Sequence, residues 1–199
     1  MCRRELLGMD IIPQAIPNIL VIEPQSHIDE RGYFMETFRH DKLEDALGFN
    51  VNFVQDNESK SSKGVLRGLH FQLAPHAQSK LVRVLEGSVL DVAVDIRRGS
   101  PSFGQHVAIK LSDVNKKQMF VPRGFAHGYI VLTDTATFSY KVDNYYSPEY
   151  DRGLAYDDTD LNIDWRLAKQ QLVLSDKDTQ QPRLTELPEY FDFNYNYYE

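Results

Sequence analysis

The chain has 199 residues, 42% of them hydrophobic and 26% charged, with a formal net charge of −7. That is enough apolar material for the core of one domain, and the acidic balance excludes a general nucleic-acid binder, which needs a basic face. A single cysteine, Cys2, excludes a disulfide within the chain and suits a reducing cytoplasm.

The stretch from Met1 to Asp10 carries arginines but no apolar run, so it does not read as a secretory signal. No later apolar run approaches the roughly 20 residues that span a bilayer. A soluble cytoplasmic protein is expected, with neither membrane nor nucleic acid as a partner. Short strands follow at Ile19-Leu20-Val21-Ile22, Tyr33 to Phe38 and Asn52 to Asn57. A helix is predicted over Asp41 to Leu47, with Asp41 as N-cap and Gly48 as its stop. Further strands are Leu81 to Leu85, Val89 to Ile96, His106 to Leu111, Gln118 to Val121, Gly128 to Leu132 and Ala136 to Tyr145. Val89 to Ile96 alternates most clearly: Leu90, Val92, Val94 and Ile96 share one face, and Val89, Asp91, Ala93 and Asp95 the other. Leu167 to Leu174 reads as a short helix. Many short strands between Gly, Pro, Asp and Asn indicate a mainly β sandwich or barrel. One domain over 1–199 is expected, its core at about 18–185 and an aromatic tail at 186–199. The six aromatics from Tyr190 to Glu199 read as packing rather than chemistry.

Six histidines are present. His27, His40 and His76 sit among polar residues and His106 at a strand edge, so these four read as structural or solvated. His70, in Gly64-Val65-Leu66-Arg67-Gly68-Leu69-His70-Phe71-Gln72, and His127, after Pro122-Arg123-Gly124-Phe125-Ala126, are delivered by turns and strands. A metal site would want a second histidine two residues past His70, but that position is Gln72, a poor ligand. No nucleophile elbow and no Gly-rich phosphate loop is present. Proton chemistry remains. It needs a base, an orienting carboxylate, an acid and a cation for a developing oxyanion. His70, an aspartate, a tyrosine and Lys80 are candidates for these roles.

The blocks Asp29-Glu30-Arg31-Gly32-Tyr33-Phe34-Met35-Glu36, Phe53-Val54-Gln55-Asp56-Asn57, Gly64 to Gln72, Lys80-Leu81-Val82-Arg83, Asp91 to Arg97, Pro122 to Gly128, Tyr140, Asn144 to Pro148 and Ser175-Asp176-Lys177-Asp178 resemble, in this order, the dTDP-4-dehydrorhamnose 3,5-epimerase family. The resemblance implies a metal-free, cupin-type jelly-roll β-barrel with a few short helices, acting as a homodimer without a cofactor on a dTDP-linked 4-keto-6-deoxyhexose. His70 would take protons from C3 and C5, Asp178 would hold its tautomer, Lys80 would face the C4 oxygen, and Tyr140 would return a proton from the opposite face. Arg31, Glu36, Gln55, Asp56, Asn57, Arg67, Asp151 and Lys177 would bind the substrate, Tyr146 would stack on the thymine, and His127 would contact the ligand. A relative that inverts C3 or C5 alone, and a non-catalytic sugar-binding cupin, are the competing readings.

Each residue also has a bland reading. Arg31 would pair with Glu30 or Glu36 on a surface turn, Arg67 and Lys80 would form a solvated stripe, Tyr140 would share a core face with Phe138 and Val142, and Tyr146 would simply pack. Asp91 and Asp95 are expected to anchor the interior by hydrogen bonds, without chemistry. In a regular strand Arg67 and His70, three apart, point to opposite faces. Both reach one ligand only if Gly68 breaks the alternation, so a bulge is predicted there.

Overall fold

The computed structural model describes residues 8–199; Cys2 and most of Met1 to Asp10 lie outside the described residues. In chain order the strands are β1 (Met9–Pro13), β2 (Leu20–Pro24), β3 (His27–Asp29) and β4 (Gly32–Phe34), then helix α1 (His40–Leu47), β5 (Gln55–Ser62), β6 (Leu66–Gln72), β7 (Lys80–Glu86), β8 (Ser88–Asp95) and β9 (Arg97–Arg98). They continue with β10 (His106–Ser112), β11 (Gln118–Val121), β12 (Phe125–Val131), β13 (Thr135–Val142), β14 (Asp151–Gly153) and β15 (Phe191–Asp192). One sheet runs β1-β2-β11-β7-β13-β5 and the other β10-β8-β12-β6-β14. Val82, Met119 and Phe138 of the first pack with Val89, Ala93, Phe125 and Tyr129 of the second. The expected mainly β jelly roll therefore forms, as two facing sheets rather than a closed barrel.

The alternation in β8 has a direct structural meaning. Val89 and Ala93 face the core between the sheets. Leu90, Val92, Val94 and Ile96 face the opposite way, under Leu154, Trp165, Leu184 and Phe191 of the C-terminal segment. Both faces are dry, so the whole strand is buried. The outer face of the six-stranded sheet is covered by α1, whose Leu43 packs with Leu20, Ile22, Leu81 and Phe120. Gly48 ends the helix with φ 75°, its N–H on the Glu44 carbonyl. Among the described residues no helix is long and apolar enough to cross a membrane.

Some element boundaries differ from expectation. Arg39, not Asp41, is the N-cap; Asp41 lies inside the first turn, its carboxylate engaged by the Arg39 guanidinium at 2.8 Å. The strand expected over Tyr33 to Phe38 ends at Phe34, where its three-residue pairing with β3 runs out. The helix expected over Leu167 to Leu174 shrinks to one 3-10 turn at Lys169–Gln171. Val173 is extended instead, exchanging backbone bonds with Gly64 and Leu66. β13 stops at Val142, because Asp143 turns aside to accept the Ser79 N–H at 2.6 Å.

Candidate active site

β6 carries the predicted break. His70 pairs with His127 and Arg67 with Tyr129, with a register shift between them. Gly68 has φ +127°, and a Cβ built there would lie 2.5 Å from the Gly128 Cα. The two glycines let β6 and β12 approach closely while β6 takes one extra residue. Leu66, Leu69 and Phe71 consequently join the core behind the sheet, while Arg67 and His70 line the same cavity.

That cavity holds about 560 Å³ between the two sheets. Its walls are chemically different. The five-stranded sheet presents His70 and His127, paired side by side on β6 and β12. The six-stranded sheet presents Tyr140 of β13, Asn57 directly across on β5, and Lys80 at the start of β7. The His70 imidazole and the Tyr140 phenol thus enter one space from opposite sides. His70 Nε2 bonds Asp178 Oδ1 at 2.5 Å, and Ser175 Oγ donates to the other oxygen of Asp178 at 2.8 Å. Burial pushes the Asp178 carboxyl up, but the His70 bond, Ser175 and the nearby Lys177 outweigh it and hold the group below its ordinary range. An ionised Asp178 fixes the neutral imidazole with its proton on Nε2, leaving the other ring nitrogen free to accept one.

Burial dominates the rest of the site. It pushes the Lys80 ammonium down to about 8, against the opposing charges of Asp151 and Asp91. It also raises the Tyr140 phenol, so that the proton stays on oxygen at neutral pH. His127 bonds Asp91 at 2.9 Å, and burial drives both partners toward their neutral forms. The hydrogen bond expected for Asp91 is therefore made to a cavity residue. Asp95 anchors the interior too, accepting from Arg97, Ser100 and Ser102. Arg67 donates to Ser61 Oγ at 3.2 Å, and Tyr129 shares a 2.8 Å bond with Ser59.

A second hollow of about 380 Å³ shares Asn57, His70, Lys80 and Tyr140 with the first, and adds Gln55, Tyr146, Asp151 and Lys177. Gln55 Nε2 donates to Asn57 Oδ1 at 2.8 Å. Lys177 and the Tyr146 hydroxyl both engage Asp151. Gln72, which stands where a metal ligand would be needed, is spent on the loops: it bonds the His76 and Tyr145 carbonyls and accepts the Ser147 N–H at 2.6 Å. It thereby brackets the segment that presents Tyr146.

Three expected binding residues are not brought to this cavity. Asp56 alternates to the outer face of edge strand β5 and pairs with Lys141 at 3.0 Å. Arg31 sits exposed at the β3–β4 turn, paired with Asp29 rather than with Glu30 or Glu36. Glu36 lies 3.6 Å from Arg39. Ser175, Ser61 and the Ser59–Tyr129 pair are site contacts that sequence reasoning does not assign. A serine or tyrosine in a β protein carries no signal of its own; only the quoted Ser175 to Asp178 block pointed toward one of them.

Comparison with known proteins identifies the family. The family model described as dTDP-4-dehydrorhamnose 3,5-epimerase matches residues 13–186. A dTDP-4-dehydrorhamnose 3,5-epimerase of Shigella flexneri is 54% identical over 170 residues, 85% of this chain and 93% of that protein. The enzyme of the same name from Escherichia coli K12 is 50% identical over 179 residues, covering 90% and 96%. The crystal structure of a dTDP-6-deoxy-D-glucose-3,5-epimerase from Legionella pneumophila Philadelphia 1, in complex with dTDP-4-keto-L-rhamnose, superposes with a TM-score of 0.90 at 47% identity, covering 94% of this chain and 100% of that one. With its two-walled cavity and these likenesses over most of its length, the chain belongs to the dTDP-4-dehydrorhamnose 3,5-epimerase family.

Proposed function

We propose that the protein epimerises C3 and C5 of dTDP-4-dehydro-6-deoxy-D-glucose, giving dTDP-4-dehydro-L-rhamnose. One observation carries the assignment of roles: His70 and Tyr140 project into one cavity from opposite sheets, and Lys80 lines the same space. Inversion requires a proton to leave one face of a carbon and arrive at the other. His70, oriented by Asp178, removes the proton beside the C4 ketone. The electron pair moves onto the C4 oxygen, where the Lys80 ammonium stabilises the enolate. Tyr140 then protonates the opposite face, and its phenolate and the His70 imidazolium return to their starting states by exchange with water. His127 contacts the sugar, with Asp91 behind it. Arg67 binds the pyrophosphate, for which its forked donors are suited. Gln55, Asn57, Asp151 and Lys177 hold the nucleoside end, and Tyr146 stacks on the base.

The experiment is incubation with this substrate in deuterated water, following C3 and C5 by NMR. Deuterium is expected at both carbons. Exchange at one carbon alone would identify a mono-epimerase, and exchange at neither would overturn the assignment. Tyr140→Phe removes the acid and leaves the base. Exchange on the His70 face should persist in that variant while inverted product falls by roughly 10²–10⁴-fold.

We place the protein in the cytoplasm and infer a homodimer, in which Arg31 and Glu36 reach a ligand only in the second copy's cavity. Support comes from the β3–β4 hairpin, where Ile28 is 81% and Phe34 61% exposed. Beside these, His27 Nε2 and Glu36 Oε2 are buried without a hydrogen-bond partner among the described residues, Glu36 Oε2 lying 3.6 Å from the Arg39 guanidinium. Sedimentation should give twice the chain mass. Phe34→Asp should shift it to the monomer and raise KM; an unchanged mass in that variant would dissociate the hairpin from assembly.

A further inference from the structure

Residues 187–199 lie beyond the stretch matched by the family, yet they are built into this molecule. Phe191–Asp192 pairs in parallel with Arg97–Arg98, and the Phe191 ring is 1% exposed in the core behind the five-stranded sheet. The chain then crosses to the other sheet, where Tyr198 lies against Phe49 with ring centroids 4.2 Å apart.

There the tail enters a polar node. The Tyr198 hydroxyl accepts the Arg123 backbone N–H at 2.9 Å and shares a 2.7 Å bond with Ser79 Oγ. Asp143 accepts the Ser79 N–H at 2.6 Å and the Arg123 Nε–H at 3.1 Å. Arg123 closes the circuit by donating to the Tyr197 carbonyl at 2.5 Å. Ser79 is fully buried. Each partner adjoins a strand that carries a site residue. Ser79 immediately precedes Lys80 on β7, Asp143 immediately follows β13 with its Tyr140, and Arg123 is in the turn that opens β12 with its His127.

We propose that the C-terminal tail is a positioning strap for the cavity, and that Tyr198 and Ser79 are positioning residues that fix where Lys80 stands. This rests on the epimerase reading for what Lys80 does, though not for where it is held. Packing alone would be served as well by phenylalanine at 198, since the ring contacts with Phe49 need no hydroxyl. The hydroxyl is what ties the tail to Ser79 and Arg123. A misplacement of about 1 Å in a catalytic group is enough to cost on the order of 10²-fold in rate.

Lys80 also reports on its own surroundings. His70 and Arg67 from β6, His127 from β12, Tyr140 from β13, Asp151 from β14, and Lys177 and Asp178 line the two hollows with it, and Asp91 of β8 lies behind His127. Burial outweighs the two carboxylates and holds the ammonium at about 8. A loosened strap admits water beside Ser79, and the ammonium moves back toward the ordinary lysine value of about 10.4.

The test compares wild type with Tyr198→Phe and Ser79→Ala. In both variants kcat should fall about 10-fold with KM within about twofold, and the alkaline limb of kcat should move up by about one pH unit. The Lys80 side-chain resonance, followed by NMR titration of lysine-labelled protein and assigned with a Lys80→Arg control, should move in the same direction. That titration needs no turnover, so it tests the strap even if wild type proves inactive on the dTDP sugar, which would sink the epimerase reading instead. An unmoved Lys80 titration in both variants, with or without a drop in Tm, would show the tail to be packing only and overturn the proposal.

Discussion

Replacing His70 with alanine is expected to erase deuterium exchange at both C3 and C5 and to lower kcat by roughly 10²–10⁴-fold or more. The size of the effect follows from what replaces the base. Among the described residues the only other imidazole lining the cavity is His127, whose Nε2 is bonded to Asp91 and whose basicity burial has reduced. Lys80 is protonated below about 8, and Tyr140 is an acid at neutral pH on the wrong wall. None can take over. Asp178→Asn should cost a similar factor while leaving the fold and KM nearly unchanged, because asparagine keeps the shape but has no charge and one acceptor oxygen in place of two, and can present N–H to the imidazole instead. A flipped amide would favour the tautomer with its proton on the cavity-facing nitrogen, removing the lone pair the reaction needs. Single-turnover NMR on the two variants, beside Tyr140→Phe, separates loss of the base from loss of the acid. If His70→Ala retained exchange at either carbon within tenfold of wild type, the base would have to be sought elsewhere.

How much of this was legible depended on where hydrophobic alternation reports burial. β8 is legible because both its faces are dry. β5 was placed too early and too short, since its inward residues are Gln55, Asn57, Ser59 and Ser61. They face a cavity rather than a core, so the period of two survives without an apolar signal. β14 is three residues long and pairs only with β6, which is too short for any periodicity to register. The Leu167 to Leu174 pattern suggested a helix, but Val173 found a better partner in the backbone flanking Val65. At the site, the structure joins Asp178 to His70 across 108 positions of sequence. That pairing came from the family resemblance, since no local pattern spans such a distance. Parity, by contrast, requires a break at Gly68 if Arg67 and His70 are to share a face, and the break is there. Applied to β5 it would have removed Asp56, whose neighbours Gln55 and Asn57 both point inward.

Gly68→Ala is expected to be severely damaging, destabilising the fold by roughly 2–6 kcal/mol. Two costs add. The backbone at Gly68 has φ +127°, outside the regions open to L residues, which costs about 1–3 kcal/mol. The new Cβ also meets backbone on β12, 2.5 Å from the Gly128 Cα and 2.8 Å from the His127 carbonyl oxygen, and forced overpacking of this kind costs about 1–3 kcal/mol. Neither neighbour is a flexible side-chain tip, so relief requires β6 and β12 to separate. That movement would carry Arg67 and His70 out of register with the opposite wall, and activity should fall beyond what the lost stability explains. Gly48→Ala is the control. Its φ is +75° and nothing lies within 4 Å of the added Cβ, so it isolates left-handed strain at a helix end from close approach. At roughly 2–4 °C per kcal/mol for a chain of this size, Gly68→Ala should lower Tm by about 4–24 °C and Gly48→Ala by a few degrees with full activity. Equal Tm losses in the two variants would mean that the β6–β12 contact is looser than 2.5 Å implies, and the bulge would lose its role in setting Arg67 and His70 on one face.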